Sequence, residues 1–274
     1  MTELLFYTDA YLKSCEATVV SADERGTVLD RTVFYPLGGG QPGDVGSLRT
    51  EDGREVVIAD TRKGDVPGIV LHIPVSGSAR LKPGDRVVAS IDWDRRHHHM
   101  RVHTCLHVLS AVVPSGVTGG SVRYDSGRLD FDLPEQILDR NQIDVRLNQL
   151  IGGNHTVTPK WITDMELADR PELVKTMSVK PPAGMGRVRL LEIAGVDLQA
   201  CGGTHVANTA EIGAVRVVKI ENKGTHNRRV TIAIAPTTSP LPSPPEAERE
   251  LENQDHHRPA QRTFSAPRRR RGMR

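Results

Sequence analysis

Two short pairs of metal-ligand residues, far apart in the chain, constrain the fold more than any other feature. The first pair is His103 and His107, in His-Thr-Cys-Leu-His, and the second is Cys201 and His205, in Cys-Gly-Gly-Thr-His. Three imidazoles and one thiolate suit a borderline-soft divalent ion, whereas magnesium and calcium prefer oxygen ligands. We therefore predict one zinc ion as the cofactor and a fold that brings the two segments together around it.

The first pair lies in a segment that the sequence predicts to be an amphipathic helix. Residues 95–113 contain neither Gly nor Pro, and apolar residues recur there at helical spacing. Residues four positions apart share a helical face, so His103 and His107 can hold one ion. His99 and His103 have the same spacing, and spacing alone does not choose between the two pairs. Cys105, which points elsewhere, is predicted to be a packing residue.

The second pair lies on a predicted turn. Strand-like segments, residues 188–194 and 212–220, precede and follow it. Gly202 and Gly203 separate the two ligands, and glycine lets a backbone turn sharply and approach a ligand closely. A glycine turn with a buried thiol is the alternative, but the helical pair makes a metal site the better interpretation.

Composition limits the class of protein. A chain of 274 residues, 37% hydrophobic and 26% charged, is long enough for two modest domains with hydrophobic cores. No apolar segment approaches the roughly 18 residues of a membrane span, and the N-terminal residues lack the pattern of a signal peptide. The three cysteines, Cys15, Cys105 and Cys201, do not suggest a disulfide framework. We therefore expect a cytoplasmic protein.

Three zones follow one another along the chain, and together they predict an α+β fold. Residues 1–93 are predicted to form a small N-terminal β-barrel, with strands at 17–20, 27–32, 55–59, 69–73 and 86–92. Residues 94–236 combine the histidine helix, a second helix around 134–151 and about four strands, which predicts a two-layer α/β zinc-binding domain. Residues 237–274, rich in Pro and Arg, are predicted to be a disordered tail.

The charge of the predicted folded part is close to neutral. The tail carries eight arginines and five acidic residues, and without it the net charge of +2 becomes about −1. Nucleic acid would therefore have to bind through local basic patches. The candidates are Arg95 with Arg96, Lys175 with Lys180, Arg187 with Arg189, and Lys219 with Lys223, Arg228 and Arg229.

A glycine-rich loop spans residues 34–46 and contains Gly38, Gly39, Gly40 and Gln41. It lacks the Gly-Lys-Ser/Thr of a phosphate-binding loop, and no helix pattern follows it as a dinucleotide site requires. It is either a tight connection in the barrel or a surface on which a substrate can lie against backbone N–H groups.

These segments, in this order and spacing, resemble a known family. The glycine loop, the histidine helix and the segment from Cys201 to Gly213 are similar to those of freestanding alanyl-tRNA editing proteins, the medium-length AlaX type. Those proteins are related to the editing domain of alanyl-tRNA synthetase and, more distantly, to that of threonyl-tRNA synthetase. The resemblance covers about residues 4–235.

The resemblance implies roles for particular residues. It makes His103, His107, Cys201 and His205 the zinc ligands and the catalytic centre, which selects His103 with His107 over His99 with His103. It places the glycine loop beside the editing pocket. The implied substrate-binding residues are Gly38, Gly39, Gly40, Gln41, Thr104, Thr118 and Ser121. The implied tRNA-binding residues are Arg95, Arg96, Lys223, Arg228 and Arg229.

The implied activity is ATP-independent, zinc-dependent hydrolysis of the ester that joins serine, or glycine, to the terminal ribose of tRNA(Ala). The chain has no aminoacylation domain, so the resemblance implies a hydrolase that acts in trans. Four protein ligands would close a tetrahedral zinc ion. Either His205 leaves the ion, or the coordination expands, or the zinc only orients the substrate.

Selectivity for serine requires a partner for its hydroxyl, because a site built around that hydroxyl disfavours a substrate without it. Synthetase-embedded versions commonly carry threonine before the second histidine, where this chain has Leu106, so Thr104 and Ser121 are the candidates. Two other functions remain open. One is a noncatalytic, zinc-stabilised tRNA-binding module, and the other is a deacylase of Ser-tRNA(Thr).

Overall fold

The computed structural model describes residues 1–134, 138–176 and 186–235. Its first part is a closed six-stranded barrel, as the sequence predicted. Strands β2, β3, β7, β6, β5 and β8 follow one another around the barrel, while β1 and β4 form a separate parallel pair. The bounds are β1 Glu3–Leu4, β2 Ser14–Asp23, β3 Gly26–Leu29, β4 Arg31–Thr32, β5 Gly46–Thr50, β6 Glu55–Lys63, β7 Val70–Pro74 and β8 Arg86–Ile91.

The observed β2 and β6 are longer than the predicted strands at 17–20 and 55–59, and two further differences concern which strands form. β5 was not predicted, because it follows the glycine loop and holds only one large apolar residue, Leu48, which is fully buried. The predicted strand at 27–32 is two short strands, β3 and β4. β6 has the expected alternation, with Val56 and Ile58 buried in the barrel core and their neighbours exposed.

The second part combines three helices with two antiparallel sheets. One sheet has the order β14-β15-β10-β9 and the other the order β11-β12-β13. The bounds are α1 Trp93–Val112, β9 Val117–Val122, β10 Ser126–Asp132, α2 Arg140–Gly152, β11 Val157–Ile162, α3 Asp164–Ala168, β12 Val188–Ile193, β13 Asp197–Ala200, β14 Val215–Lys223 and β15 Asn227–Ile234. This mixture confirms the α+β class.

The central helix, α1, is buried over most of its length. Asp92 caps it by accepting a hydrogen bond from the backbone N–H of Arg95 (3.0 Å). Every residue from His98 to Ser110 is buried. Its apolar side chains share one core with both sheets and with α2. The helix therefore holds the two histidines that are candidate metal ligands on a closely packed element.

Two other predicted bounds are wrong. The second helix begins at Arg140 rather than near residue 134, because Asp139 is its N-cap and accepts from the N–H groups of Asn141 and Gln142. Ile212 is not in a strand but ends a short 3₁₀ helix, Thr209–Ile212, which Asn208 and Glu211 cap reciprocally.

One compact unit spans residues 1–236, so the boundary that we expect at 93/94 stays a prediction. The predicted disordered tail, residues 237–274, lies outside the described residues. Within the described ranges, no helix is both long and apolar enough to span a membrane.

A buried ion pair joins α1 to the barrel. The Arg96 guanidinium, with no exposed surface, donates to the Asp44 carboxylate and to the backbone carbonyls of Val33 (2.6 Å) and Ala10 (3.1 Å). This burial corrects the expectation that Arg96 contacts tRNA, since its donors point into the protein.

Candidate metal centre and active-site cavity

The two predicted ligand pairs meet at one point. One ligand atom from each of His103, His107, Cys201 and His205 lies within 4.8 Å of the others. The two helical histidines come from successive turns of α1, Cys201 directly follows β13, and His205 lies in the loop beyond. His99 is buried in the same helix but is outside this group. The geometry therefore agrees with the pair that the resemblance selected.

Two of the three imidazoles in the cluster are oriented by a hydrogen bond at their outer nitrogen. His103 Nδ1 lies 2.8 Å from Gln41 Oε1, and His205 Nδ1 lies 3.2 Å from Thr104 Oγ1. Because the Thr104 hydroxyl donates its only proton to the Met100 carbonyl, Oγ1 must accept from the His205 N–H. In the neutral rings this tautomer leaves Nε2 as the atom that can bind a metal, and Nε2 lies 3.7 Å from Cys201 Sγ in His103 and 3.2 Å in His205.

The electrostatics of the cluster suit a cation. Burial favours the Cys201 thiol, but the three imidazoles around it lower its pKa well below the usual range. Burial also lowers the pKa of His205 well below its usual value. Burial disfavours a charged His107, yet the Cys201 thiolate and the Asp197 carboxylate raise the pKa of His107 to about 9. Positive charge is therefore stabilised beside these two anions, and a divalent ion would supply it.

The glycine at position 203 is required by close packing. A Cβ built there would lie 2.1 Å from Cε1 of His103, so any side chain would displace a ligand ring. Gln41, which contacts the same ring, is fully buried. Its Oε1 accepts from the Thr204 N–H (3.1 Å) as well as from His103, and its Nε2 donates to the Thr204 hydroxyl (2.7 Å). Gln41 thus ties the helical ligand to the cysteine loop.

The glycine loop packs against β9. The Val122 N–H donates to the Gly40 carbonyl (2.7 Å). Gly40 has a φ of +80°, and a Cβ on it would lie 2.7 Å from the Gly120 carbonyl oxygen, so only glycine fits there. The loop and β9 together form one wall next to the metal cluster.

A cavity of about 640 Å³ opens between that wall and the cluster. His103, His107 and Cys201 line one side, and Gly39, Gly40 and Ser121 line the other. His205 is not among the lining residues. A ligand in this cavity would therefore meet three of the four candidate metal ligands.

Comparison with known proteins assigns this chain to a family. Residues 188–231, which include the cysteine loop, match the threonyl and alanyl tRNA synthetase second additional domain. Residues 6–95 match the class II (A) tRNA synthetases. The alanyl-tRNA editing protein AlaX-M of Methanosarcina mazei is 39% identical over 88% of this chain and 100% of its own length. The chain belongs to the AlaX-M family of alanyl-tRNA editing proteins. AlaX-M of Saccharolobus solfataricus is 34% identical over 86% of this chain and 100% of its own length.

The same chain also matches part of a larger enzyme. The alanine–tRNA ligase of Sulfurisphaera tokodaii is 36% identical over 80% of this chain but over only 25% of its own length. The similarity therefore extends over the full length of these two AlaX-M proteins but over only a quarter of the length of the ligase.

Four of the seven predicted substrate residues of this AlaX-M protein do not line the cavity. Thr104 is fully buried behind His205 and accepts from the Val206 N–H (3.2 Å), so it positions a ligand rather than contacting substrate. The Thr118 hydroxyl lies within hydrogen-bond distance of two acceptors, Asn227 Oδ1 (2.9 Å) and the Asp130 carbonyl (3.1 Å), and Thr118 does not line the cavity. Gln41 and Gly38 are not among the lining residues either. The other three predicted substrate residues, Gly39, Gly40 and Ser121, line the cavity and can contact a substrate there.

The sequence did not predict the polar group behind His107. Asp197 Oδ2 lies 3.6 Å from His107 Nδ1, and the Asp197 carboxylate is also bonded to Lys175 and Gln199. Gln199 donates to Ser110 (2.9 Å), and both line the cavity. Asp197 and Gln199 are two positions apart on β13, so they share one face of the strand. This alternation was the one pattern in the sequence that concerned Asp197, and it does not indicate that the face packs against the histidine helix.

The remaining predicted tRNA contacts are surface residues with protein partners. Arg229 pairs with Asp130 (2.6 Å) and Lys223 with Glu221 (3.4 Å) on the β14–β15 hairpin. Arg228 donates to the Pro134 carbonyl (2.7 Å). Arg95 is half-buried and donates to the Gly43 carbonyl (2.6 Å). A role for these four residues in tRNA binding stays a prediction.

Replacing Gln41 by alanine is expected to weaken metal binding or activity by about 10- to 100-fold, because the partner that orients a ligating imidazole is lost. Metal content after dialysis against a chelator and the deacylation rate measure the effect. The matched control is Gln149→Ala, since Gln149 is exposed on α2. Unchanged metal retention and rate in the Gln41 variant would contradict the orienting role.

Proposed function

We propose that this chain, an aminoacyl-tRNA deacylase by its family, removes serine from mischarged tRNA(Ala) in trans by zinc-dependent ester hydrolysis. The observation that carries the proposal is the cluster of three imidazoles and one low-pKa thiol that opens into a cavity beside Ser121. The AlaX-M relatives are named for alanyl-tRNA editing, and the chain matches them along their full length. Both findings support a freestanding editing enzyme.

Zinc is the metal that the donor set fits best, and His103, His107, Cys201 and His205 would hold it. When bound there, it would polarise the ester carbonyl and lower the pKa of a water molecule. The chain's own residues prepare the site: Gln41 and Thr104 fix two of the imidazoles, and Asp197 lies beside the third. His205 is the one ligand that does not line the cavity.

Serine selectivity is proposed to depend on Ser121. Ser121 is on β9 and lines the same cavity as the candidate metal ligands His103, His107 and Cys201. A hydroxyl at this point can pair with the serine hydroxyl, and alanine would leave that partner unpaired. Glycine carries neither a methyl nor a hydroxyl group, so it would be accepted for its small size alone.

Ser121→Ala is expected to lower the preference for serine over alanine by about tenfold, the contribution of one hydrogen bond of about 1.4 kcal/mol. Rates of deacylation of Ser-tRNA(Ala) and Ala-tRNA(Ala) measure it. Thr118→Val is the matched control, because it removes a hydroxyl from the same strand outside the cavity. Thr104→Val should slow both substrates alike. Full preference in the Ser121 variant would show that another group recognises the hydroxyl.

The direct test is release of labelled amino acid from Ser-, Gly- and Ala-tRNA(Ala) by zinc-loaded protein. We expect rapid loss of serine, slower or equal loss of glycine, and retention of alanine. Adding Ser-tRNA(Thr) tests the second substrate, which the match to threonyl as well as alanyl enzymes favours. Binding of tRNA(Ala) without hydrolysis of any ester would instead support a noncatalytic tRNA-binding module.

A further inference from the structure

Three residues that line the cavity lie in one row across the β11-β12-β13 sheet. Trp161 on β11 is directly opposite Arg189 on β12, and the Cys201 N–H donates to the Arg189 carbonyl (3.1 Å). Directly opposite residues project from the same face of a sheet. Since neighbouring strands are about 5 Å apart, the backbone of Trp161 is about 10 Å from that of the candidate metal ligand.

Trp161 presents an unusual amount of apolar surface at this point. It is 46% exposed, although it lines a cavity. Tyr7 supports it from the side in an edge-to-face contact, with ring centroids 6.1 Å apart and an angle of 87° between planes. A large aromatic ring that is held in place but remains open to a cavity is the usual form of a base-stacking platform.

The charge around Trp161 favours a polyanion. Lys63, Arg187 and Arg189 line the cavity, and Lys63 and Arg187 are exposed. No acidic residue is among the described residues that line it. An aromatic platform with cations and without carboxylates suits a nucleotide better than a neutral apolar ligand.

Arg189, whose guanidinium carbon lies 5.6 Å from the Tyr7 ring centroid, has a hydrogen-bond donor beside the cavity that no described residue satisfies. It is 8% exposed, and its Nη1 donates to the carbonyls of Cys201 and Gly203, both at 2.9 Å. Its Nε is buried and has no hydrogen-bond partner among the described residues. A buried donor without a partner is costly, so an acceptor supplied by a ligand would satisfy it.

We propose that Trp161 is the platform on which the 3′-terminal adenine of the aminoacyl-tRNA stacks. In this arrangement the ester carbonyl lies at the metal cluster beside Cys201, the ribose lies over Arg189 and the base stacks on Trp161. The three parts of the substrate thus follow the same order as the three residues across the sheet. This inference rests on the proposed deacylase function. It adds that the enzyme grips the terminal nucleoside itself, independently of the identity of the amino acid.

The kinetic test compares Trp161→Leu, which keeps apolar volume, with Trp161→Phe, which keeps an aromatic face. On Ser-tRNA(Ala) we expect KM to rise by about 10- to 100-fold for Trp161→Leu and less for Trp161→Phe, with kcat nearly unchanged, since the stacking is already made in the bound ground state. Met165→Ala, which alters an exposed apolar residue outside the cavity lining, is the control and should leave KM unchanged. Equal KM values in wild type and Trp161→Leu would overturn the inference.

A substrate without the base separates stacking from simple packing. The substrate is a seryl ester of a CCA oligonucleotide whose terminal ribose carries no base. On this substrate the wild type should already show the increased KM that Trp161→Leu shows on Ser-tRNA(Ala). Trp161→Leu should then cause no further increase in KM. An additional rise of similar size in Trp161→Leu would mean that the indole acts only by packing, and would overturn the inference.

A binding experiment keeps the test independent of hydrolysis. Calorimetric titration of the zinc-loaded protein with the trinucleotide CCA should give an affinity about tenfold lower for Trp161→Leu than for wild type and Met165→Ala. If no ester is hydrolysed but this difference is found, the proposed function fails and the platform stands. If esters are hydrolysed and the three proteins bind CCA equally, the platform fails and the proposed function stands.

Discussion

Replacing Cys201 by alanine is expected to remove the metal and to lower kcat/KM for Ser-tRNA(Ala) by about 1000-fold. The thiolate is the one soft, negatively charged ligand of the cluster, and its charge is stabilised by all three imidazoles. Loss of a single preorganised electrostatic partner commonly costs 100- to 1000-fold in rate, and here the metal would be lost as well. Metal analysis of the purified variant and single-turnover deacylation measure both effects.

The chain offers matched cysteine controls for this variant. Cys15 is half-buried in the barrel and Cys105 is fully buried in α1, where burial raises the pKa of its thiol to about 12, so neither should bind metal. Cys15→Ala and Cys105→Ala should keep one zinc ion and the wild-type rate, although Cys105→Ala should also lower stability through a core cavity. A Cys201→Ala protein with full zinc content and full activity would exclude the proposed centre.

Local patterns predicted the elements that carry the site. The histidine helix, the glycine turn of Cys201 and the barrel follow from periodicity and turn residues, which depend on neighbours in sequence. Spacing alone left His99 open as a ligand, because His99, His103 and His107 follow one another at intervals of four residues. The structure distinguishes His107 from His99 by contacts that are remote in sequence, since His107 lies in the cluster with Cys201 and beside Asp197, and His99 is outside that cluster.

The wrong residue roles have one physical cause. Periodicity shows which residues share a face, but it does not show which element that face will meet. Arg96 looked like a surface cation because its partner, Asp44, is in the glycine loop. Thr104 looked like a substrate hydroxyl because the imidazole that it orients is on a distant loop. The row of Trp161, Arg189 and Cys201 depends on strand register, which the sequence left unspecified.

Replacing Arg96 by alanine is expected to lower the free energy of unfolding by about 3–5 kcal/mol, the usual cost of removing one partner of a buried ion pair. Asp44, 1% exposed, would keep a buried carboxylate that has lost its counter-ion and the guanidinium donors, with the Tyr35 N–H (2.6 Å) still bonded to it. The Val33 and Ala10 carbonyls would lose a donor as well. Urea unfolding of the zinc-loaded protein, followed by circular dichroism, measures the change.

Arg62→Ala is the matched control, because Arg62 also pairs with an aspartate of the barrel, Asp60 (2.7 Å), but is 63% exposed. That pair should contribute at most about 1 kcal/mol, since solvent screens it. The double variant Arg96→Ala/Asp44→Ala should be less destabilised than the sum of the single variants, because no unpaired charge is then left buried. Two results would contradict this role of the ion pair: additive losses of unfolding free energy in the double variant, or a loss for Arg96→Ala no larger than that for Arg62→Ala. Either would mean that the contact between α1 and the barrel depends on apolar packing. A tRNA-contacting Arg96 would instead raise KM without changing stability, so the same variant distinguishes the two roles.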